Sequence, residues 1–459
     1  MFDVVIVAFH PQLHELAATL DALVAARETG LDLALQLWHN DGGVAATPGL
    51  ADALDRARQQ GLTVEVRGGQ GNLGFGRAIN ATLPFVTRSH VLLLNQDAIP
   101  EPGALQRLWA VARDDDARVA AWELRQIPYE HPKDYDPVTL DTVWCSGAAL
   151  LLRTDALRAV DGFEPRFFMY CEDVDLSWRL RCAGWRLRYL PRCAVVHHTY
   201  SRPGEIKPLA SLGGCYANLC LRTRFAGRRQ VLQGVRMLLR ELRGPQAFAG
   251  RRQGLLKALC RFALNYPYFR RTRAAGLDFE PFFPGWDYEQ RRDAPFHVFR
   301  SQAERREQAL PAVTAFIRAN GDEQALAGCR QTLQGQTHRP QLIVVVEGDT
   351  PLDEQAAGDA DWLLVIDAAD RLYADHVEAL LQAALDGGHT GAVGQVWQVQ
   401  ADLHEAHDAH RLHTPRHTPP LAPALRPGRL WRRGHAADVG RWVEVPRTTA
   451  VRYARGDAA

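Results

Sequence analysis

The sequence predicts an α/β fold in which helices cover both faces of a mainly parallel sheet. Short apolar runs with the length of buried strands alternate with segments that have helical periodicity. Polar clusters follow several of these strands, and the strand–helix–strand order begins again after about residue 311. Because the carboxyl ends of parallel strands share one edge of a sheet, we expect ligand-binding groups at that edge.

The elements of the first two hundred residues alternate as this fold requires. Apolar residues recur at helical spacing from Leu13 to Val24, directly after an apolar strand. The predicted strands are 4–9, 33–38, 63–66, 91–94, 185–190 and 194–196, and the predicted helices include 13–26, 50–60 and 74–83. The polar turns 39–43 and 95–97 therefore belong to one edge of the sheet, and the last strand returns His197 to it.

The segment after about residue 205 is strongly basic. Residues 215–275 contain 14 lysines and arginines against one acid, Glu241. Apolar residues from Val231 to Leu239 recur at helical spacing among the arginines, which is typical of a basic amphipathic helix on an anionic membrane surface. The same pattern fits a solvated helical face that balances acids elsewhere in the fold. A connector rich in proline and aromatic residues follows at 279–299.

From about residue 311 the chain predicts a second, smaller α/β domain. The elements that reproduce the opening order are strands 313–318, 342–346 and 362–366 and a helix at 323–333. We therefore divide the chain into a first domain at 1–205, a basic helical segment with its connector at 206–300, and a second domain at 301–459.

Composition excludes several classes of protein. The 459 residues are 46% apolar and 23% charged, as in globular proteins, and the net charge of +1 provides no field for nucleic acid. No apolar run reaches the ~18 residues of a membrane span. The N-terminus lacks a signal-peptide pattern, and eight sparse cysteines without a CxxC pair predict no disulfides. We expect a cytoplasmic protein without a nucleic-acid partner.

Candidate chemical groups occur at two kinds of position. Glu172, Asp173 and Asp175 open a predicted helix, whose N-terminal partial positive charge favours ionised carboxylates. Asp97 and His197 follow strands and would provide the oxygen and nitrogen ligands of a divalent cation. In isolation the acids also fit helix-terminal charges worth ~0.3 to 1 kcal/mol each, and the histidine fits a strand end with a backbone partner.

Several short stretches, in order, carry a resemblance to a known family. They are VVIVAFH (4–10), NDG (40–42), NLGFGRAIN (72–80), LLLNQD (92–97), CSGA (145–148), YCEDVD (170–175) and His197. Together they resemble the family 2 glycosyltransferases of the GT-A fold, nearest to the rhamnosyl- and galactofuranosyltransferase branch that builds bacterial surface polysaccharides. The resemblance covers residues 1 to about 200, and YANL at 216–219 also resembles a helix that follows the catalytic domain in that branch.

The resemblance implies a role for each matching position. Asp97 and His197 would bind Mg²⁺ or Mn²⁺, and Asp173 would be the general base. The donor nucleotide would be held by Ala8, His10, Asn40, Asp41, Asn72, Gly74, Arg77, Asn95, Gly147 and Glu172. Residues 40–43 read Asn-Asp-Gly-Gly where the family commonly has Asp-Asn-x-Ser, so whether Asn40 or Asp41 contacts the base stays open.

The implied activity is metal-dependent transfer of a sugar, rhamnose-like or another hexose, from a nucleoside-diphosphate donor to a glycan acceptor, lipid-linked in our interpretation. A single base without a second covalent carboxylate predicts inversion at the anomeric carbon. The basic segment 215–275 would hold the enzyme at the inner face of the plasma membrane. Two alternatives are a carbohydrate-binding or nucleotide-sugar-binding scaffold and a sugar-nucleotide nucleotidyltransferase. The latter needs a glycine-rich loop with a lysine after the first strand, which residues 8–11 lack.

The second domain departs from the family pattern. Residues 347–349 resemble the nucleoside-binding turn, and 367–370 resemble the family's Asp-x-Asp-Asp, but Ala369 stands where a metal carboxylate would be. No Glu-Asp-x-Asp follows, so we predict a degenerate GT-A-like domain without transfer activity, used for acceptor binding or assembly. Five histidines between 404 and 417 fit a Zn²⁺ site or a solvated polar segment, since steps of three drift around a helix.

Overall fold

The computed structural model consists of two compact units, each with one sheet. The first unit contains Met1–Tyr129 and Thr142–Gln290, and the second contains Glu130–Asp141 and Arg291–Ala459. The structure describes residues 1–41, 43–129, 135–198, 206–278, 281, 283, 286, 299–402, 428–436 and 439–454. The histidine-rich segment 404–417 lies outside these residues. All eight cysteines are free thiols.

The first unit has the alternation of strands and helices that the sequence predicts. Its strands are β1 (Phe2–Ala8), β2 (Leu33–His39), β3 (Thr63–Gly68), β4 (His90–Asn95), β5 (Ile99–Pro100), β6 (Val119–Pro128), β7 (Ala149–Arg153) and β8 (Arg186–His197). Its helices are α1 (Leu13–Glu28), α2 (Leu50–Gln59), α3 (Phe75–Thr82), α4 (Ala104–Ala112), α5 (Thr154–Ala159), α6 (Glu172–Cys182), α7 (Pro208–Phe225), α8 (Arg228–Arg243) and α9 (Arg251–Arg271).

The strand predicted in two pieces before His197 is one element, β8. Its pairing with β6 is interrupted after Leu190, where the register shifts and resumes at Ala194. Pro191 lies in this interruption, and a proline has no N–H for the ladder. The strand therefore continues past the proline as an irregularity instead of ending there.

The eight strands form one sheet in the order β3-β2-β1-β4-β7-β6-β8-β5. The first four strands run parallel, so their carboxyl ends share one edge. β7 is antiparallel to both β4 and β6, β8 is parallel to β6, and β5 is antiparallel to β8. The α/β prediction is confirmed, and the second half of the sheet is mixed.

Helices α3 and α6 pack on the same face of this sheet. Ile79 of α3 and Leu176 and Leu180 of α6 are buried in one apolar cluster with Leu93 of β4 and Leu150 of β7. Full burial of such a side chain stabilises the fold by roughly 1.5–3 kcal/mol. This packing holds the first turn of α6 near the strand ends, where the sequence places its acids.

The second unit contains the repeated elements that the sequence predicts. Its helices are α10 (Gln302–Glu307), α11 (Glu323–Gln334) and α12 (His376–Asp386). Its strands are β9 (Val313–Ala319), β10 (Leu342–Glu347), β11 (Trp362–Asp367), β12 (Asp370–Leu372), β13 (Gly391–Asp402), β14 (Arg429–Arg432) and β15 (Trp442–Ala454).

The sheet of the second unit repeats the topology of the first. Its order, β10-β9-β11-β14-β13-β15-β12, corresponds to β2-β1-β4-β7-β6-β8-β5. Each pair of neighbours has the same parallel or antiparallel direction in the two sheets. Strand β3 has no counterpart among the described strands of the second unit. The internal repeat inferred from the sequence is thus visible in the seven strands of the second sheet.

Candidate active site

The turn after β4 forms hydrogen bonds with residues next to the ends of both neighbouring strands, β1 and β7. Asn95 is the last residue of β4, and its N–H donates to the Ala148 carbonyl at 2.8 Å. The Gln96 side chain accepts from Phe9 N at 2.8 Å and donates to Phe9 O at 3.2 Å. These bonds hold the turn that carries Asp97 at the carboxyl edge of the sheet.

Asp97 and His197 lie together although they are distant in the sequence. His197 Nε2 is 3.5 Å from Asp97 Oδ1, because the pairing of β5 with β8 brings Ile99 opposite Val196. The His197 ring is buried, and its Nδ1 is 2.8 Å from Gln126 Oε1. Burial alone would raise the pKa of Asp97, but the hydrogen bond and charge of His197 outweigh it, so this pKa lies below its usual value.

Asp173 is held by the chain segment that precedes β7. Its Oδ2 accepts a hydrogen bond from Gly147 N at 3.1 Å, and its Oδ1 accepts one from Val174 N at 2.9 Å. Both bonds favour the ionised carboxylate, as does the helix N-terminus. Tyr170 and Cys171 precede α6 with left-handed φ values of 74° and 65°, a conformation that costs of order 1–3 kcal/mol per residue and is concentrated at functional sites.

Glu172 is buried beside Asp173 at the start of α6. Its Oε2 has no hydrogen-bond partner among the residues that the structure describes. Burial and the neighbouring charge of Asp173 raise the pKa of Glu172 to about 8. At neutral pH this side chain is therefore mostly a neutral acid, which can donate a hydrogen bond, whereas Asp173 can accept a proton.

The predicted nucleoside-binding residues form one connected loop system. Asn40 N donates to the Ala8 carbonyl at 2.7 Å, and Asn40 Nδ2 donates to Asn72 Oδ1 at 2.9 Å. Asn40 Oδ1 accepts from Leu73 N at 2.9 Å, and the residue is only 1% exposed. The side chain of Asn40 thus fixes the 72–74 loop against β1.

Asp41 is enclosed by two histidines. Its Oδ2 accepts from His10 N at 2.9 Å and lies 3.3 Å from His10 Nδ1, and its Oδ1 pairs with His39. The Asp41 side chain is 7% exposed, whereas that of His10 is 74% exposed. His10 is therefore the open member of this cluster, and Asp41 holds it in place.

Gly74 and Arg77 complete the predicted donor residues. Gly74 has φ of 80°, and a Cβ on it would lie 2.1 Å from the Phe168 carbonyl oxygen, so only glycine fits this approach to the segment before α6. Phe75 N donates to the same carbonyl, at 3.1 Å. Arg77 is exposed, and its Nε donates to the Pro165 carbonyl. No hydrogen bond or ion pair joins Arg77 to the other predicted site residues, all of which lie in the described part of the chain.

A cavity of about 680 Å³ borders this loop system and was not predicted. Its walls include Trp38, His39, Arg67 and Phe85, with the Arg67 guanidinium 3.7 Å from the centre of the Phe85 ring. None of the predicted site residues contributes to the wall. The volume is within the usual range for small-molecule sites.

An ion-pair network that the sequence did not reveal holds α6 to α7. Arg224 on α7 is 3% exposed and pairs with Asp175 on α6 and with Glu164, the latter at 2.7 Å. Arg179 Nε also donates to Asp175, at 2.7 Å. The sequence signal was the Glu-Asp-x-Asp itself, whose last acid serves this structural pairing.

The basic segment divides into buried and exposed charges. Among its cations, Arg222, Arg224 and Arg251 are buried and bonded within the unit. The exposed cations are Arg228, Arg229, Arg236, Arg240, Arg243, Arg252, Lys257, Arg270, Arg271 and Arg273. Asn218 is buried, donates to the Trp286 carbonyl and accepts from Arg222 Nε. Among the described helices, none combines the length and apolar character needed to cross a bilayer.

The equivalent edge of the second unit has different side chains. β11 ends at Asp367 as β4 ends at Asn95, and the next helix begins without insertion or deletion, so Ala369 takes the position of Asp97. Val451 pairs with Arg371 as Val196 pairs with Ile99, so Arg452 takes the position of His197. The metal-ligand pair expected in the first unit is thus an alanine and an arginine in the second.

The second unit also differs from the first between β14 and β15. In the first unit the corresponding strands, β7 and β8, are separated by α5 and α6. Residues 433–441 connect β14 to β15, and the described part of this connection contains no α-helix. A counterpart of Asp173 on such a helix is therefore missing from the described connection.

Comparisons with known proteins identify the family of this chain. Residues 3–158 match the family model described as glycosyl transferase family 2. The chain is 30% identical to N-acetylglucosaminyl-diphospho-decaprenol L-rhamnosyltransferase of Mycobacterium tuberculosis, over 45% of this chain and 78% of the relative. The chain belongs to glycosyltransferase family 2. It is therefore a glycosyltransferase, as the sequence predicts.

Two further similarities concern this glycosyltransferase. It is 45% identical to rhamnosyltransferase WbbL of Escherichia coli over 62 residues, which are 13% of this chain and 24% of that protein. Mannosyltransferase PcManGT of Pyrobaculum calidifontis, solved with GDP-Man and Mn²⁺, is 16% identical, with a TM-score of 0.34 over 59% of this chain and 72% of that one. Because that score is low, the family assignment rests on the sequence matches.

Proposed function

We propose that the first unit of this glycosyltransferase transfers a sugar from a nucleoside-diphosphate donor to a hydroxyl of a glycan acceptor, with inversion. The observation that carries the proposal is a series of bonds along one sheet edge. Asn95, two residues before Asp97, donates to the Ala148 carbonyl, and the adjacent Gly147 donates to Asp173. The Asp97–His197 pair and the Asp173 carboxylate are therefore attached to the same short stretch of backbone.

Asp173 is the group that we assign to proton transfer. As the acceptor oxygen bonds to the anomeric carbon, the bond from that carbon to the nucleoside diphosphate breaks, and the acceptor proton passes to Asp173. General base catalysis of this kind contributes typically ~10² to 10⁴-fold. Because one displacement occurs without a sugar–enzyme bond, the anomeric configuration inverts. The neutral Glu172 is placed to donate a hydrogen bond to a sugar or phosphate oxygen.

Asp97 and His197 fit a divalent cation. With Nδ1 of His197 donating to Gln126, its Nε2 faces the Asp97 carboxylate, and loss of the Nε2 proton would leave a lone pair there for a cation. An oxygen and a nitrogen ligand of this kind suit Mn²⁺ or Mg²⁺, and when bound such an ion stabilises negative charge on the departing diphosphate. The described residues contain no group of three or more metal-ligating side chains, so phosphate and water oxygens would supply the other ligands.

The relatives guide the choice of substrates. The Mycobacterium tuberculosis and Escherichia coli proteins are named as rhamnosyltransferases, and the former name includes a diphospho-decaprenol acceptor. We therefore propose a rhamnose-like donor sugar, a lipid-linked glycan acceptor, and a role in surface polysaccharide synthesis in the cytoplasm. The second unit, with Ala369 and Arg452 at the positions of Asp97 and His197, is proposed to lack transfer activity.

An acceptor carried by a lipid gives the exposed face of α8 and α9 a role. Leu232 on α8 is 50% exposed, and Leu256 and Leu264 on α9 are 51% and 83% exposed. The same two helices also carry exposed arginines and Lys257. Apolar side chains among cations are typical of elements that bind an anionic bilayer surface. We propose that this face rests on the membrane that holds the acceptor.

A transfer assay tests the proposal. The purified chain is incubated with Mn²⁺, a synthetic prenyl-diphosphate-linked N-acetylglucosamine acceptor, and in turn dTDP-rhamnose, UDP-glucose and UDP-galactofuranose. We expect transfer from at least one donor, loss of transfer in EDTA, and an anomeric configuration in the product opposite to that of the donor. Thermal-shift measurements narrow the choice of donor nucleotide sugar, since a ligand at 100 times its Kd stabilises the fold by ~2.7 kcal/mol. Retention of configuration would contradict the mechanism.

A further inference from the structure

The second unit carries two arginines where the first unit has core residues. Counted from the ends of β11 and β4, Arg429 takes the position of Leu150, because Arg429 pairs with Val365 as Leu150 pairs with Leu93. In the same way Arg318 takes the position of Val7, because Arg318 pairs with Asp367 as Val7 pairs with Asn95. Leu150 is buried in the apolar cluster under α6, and Val7 packs against that cluster.

Arg318 and Arg429 lie on one face of the sheet, on either side of β11. Asp367 and Val365, their partners in β11, are two residues apart, and residues two apart in a strand point to the same face. Two strand spacings across the sheet and an offset of two residues along it separate the arginine backbones by about 12 Å, a distance that two arginine side chains can close. Burial, with a smaller contribution from the charge of Arg318, lowers the pKa of Arg429.

Neither arginine forms an ion pair with a carboxylate within the described part of the chain. The Arg429 side chain has no hydrogen bond or ion pair there, although the residue is only partly exposed. Arg318 uses Nη1 to donate to the carbonyls of Gly348 and Thr350, at 2.9 and 3.2 Å, which leaves Nε and Nη2 available. Two like charges at former core positions destabilise the fold unless an anion accompanies them.

The neighbouring carboxylates point to a ligand that also has hydroxyl groups. Asp370 is fully buried and accepts two hydrogen bonds from Arg452, at 2.8 and 3.1 Å, so this pair is internally balanced. Asp367 lies opposite Arg318, and its Oδ1 accepts from Ala369 N at 2.9 Å. A carboxylate beside two guanidinium groups matches a sugar phosphate, whose hydroxyls donate and whose phosphates accept.

We infer that Arg318 and Arg429 form a metal-independent binding site for the diphosphate group of a sugar diphosphate. Guanidinium groups bind phosphate oxygens through paired hydrogen bonds, and two of them match the two phosphates of one ligand. The positive charge of this site comes from Arg318 and Arg429, so no cation is needed. The inference rests on the second unit alone and does not require activity of the first.

Pyrophosphate binding to the full chain in EDTA tests this site. Calorimetry of the wild type is expected to show binding, and Arg318→Gln and Arg429→Gln are each expected to weaken it about tenfold or more. The matched control is Arg330→Gln, an exposed arginine on α11 of the same unit, which should bind like the wild type. No binding in EDTA, or equal binding by all three variants, would overturn the inference.

A second variant separates binding from folding. Arg429→Leu restores the residue found at the equivalent position of the first unit, so it should lose pyrophosphate binding without lowering the melting temperature. A clear fall in melting temperature would mean that Arg429 serves the fold, against the inference. UDP and geranyl diphosphate then distinguish the source of the ligand. The one that binds more tightly than pyrophosphate identifies a nucleotide sugar or a lipid-linked sugar, and equal affinities mean that only the diphosphate is recognised.

Discussion

Gly147 N lies 3.1 Å from Oδ2 of Asp173 and donates a hydrogen bond to it. The bond attaches the first turn of α6 to the segment that enters β7, beside the end of β4. A Cβ on Gly147 would lie 3.0 Å from a ring carbon of Phe75, so this close approach favours glycine. The position of the proposed base is therefore set by hydrogen bonds from the backbone N–H groups of Gly147 and Val174.

Asp173→Asn is expected to lower kcat by about 10² to 10⁴-fold while leaving the fold intact, because the amide keeps the shape of the side chain but loses its basicity and one of the two bonds from backbone N–H groups. Steady-state kinetics and a melting curve measure the two effects. The matched control is Asp52→Asn on the exposed face of α2, which should leave both unchanged. Undiminished turnover of Asp173→Asn would exclude it as the base.

Gln126→Leu is expected to raise the Mn²⁺ concentration for half-maximal activity about 10 to 100-fold. Its Oε1 lies 2.8 Å from His197 Nδ1 and orients the ring whose Nε2 faces Asp97, and loss of such an orienting partner typically weakens metal binding by this factor. Activity is titrated with Mn²⁺, with the exposed Gln59→Leu as control. An unchanged Mn²⁺ requirement would mean that His197 is not a ligand.

Because the pKa of Glu172 is raised, the free energy of unfolding is expected to fall as the pH rises. Its pKa is raised from 4.5 in the unfolded chain to about 8 in the folded one, so the folded state binds the extra proton between these values. The resulting stabilisation is complete below pH 4.5 and is lost as the pH rises through about 8. Between pH 5 and 8.5 the urea midpoint should fall more for the wild type than for Glu172→Gln. Parallel profiles would show that Glu172 is not buried as a neutral acid.

Arg224→Met is expected to lower the free energy of unfolding by about 3–5 kcal/mol, because Asp175 and Glu164 then remain buried without their shared cation. Urea unfolding measures the change, and Arg228→Gln on exposed α8 provides the control. Arg224→Lys should rescue little, since an ammonium cannot bond both acids through a planar fork. If Arg224→Met were as stable as the control, the network would not anchor α6.

Binding to anionic vesicles depends on the exposed leucines of α9. Leu256→Ser combined with Leu264→Ser is expected to reduce flotation with phosphatidylglycerol vesicles, and high salt should reduce it further by screening the arginines. Leu385→Ser, at an exposed leucine of the second unit, should float like the wild type. Equal flotation of the wild type, the double variant and Leu385→Ser would mean that the exposed leucines of α9 do not contact the membrane.

Much of the fold could be predicted because the spacing of apolar residues along the chain indicates where strands and helices form. Apolar periodicity located the parallel strands and their helices to within a few residues, and the strand-end argument put Asp97 and His197 at one edge. The same patterns could not show that Pro191 lies within one strand, nor that β7 runs antiparallel to β4. Those features depend on pairing between distant segments, which hydrophobic periodicity does not report.

Side-chain roles were the least predictable part of the site. Asn40 lies in a turn whose sequence resembles a nucleoside-binding turn. Both the nitrogen and the oxygen of its side-chain amide nevertheless form hydrogen bonds with the 72–74 loop. Arg224 belongs to a run of cations that looks like a surface, yet it lies between two buried acids. The charge of a residue is visible in the sequence, whereas its partner is set by which elements pack together.

The order of residues alone determined the α/β class, the repeat of the opening pattern, and the series of motifs that identifies a family 2 glycosyltransferase. Only the tertiary structure decided that Arg452 takes the position of His197 and that Arg318 and Arg429 take core positions. The physical reason is that strand and helix propensities act over a few neighbouring residues, whereas these equivalences follow from hydrogen-bond register between strands far apart in the chain.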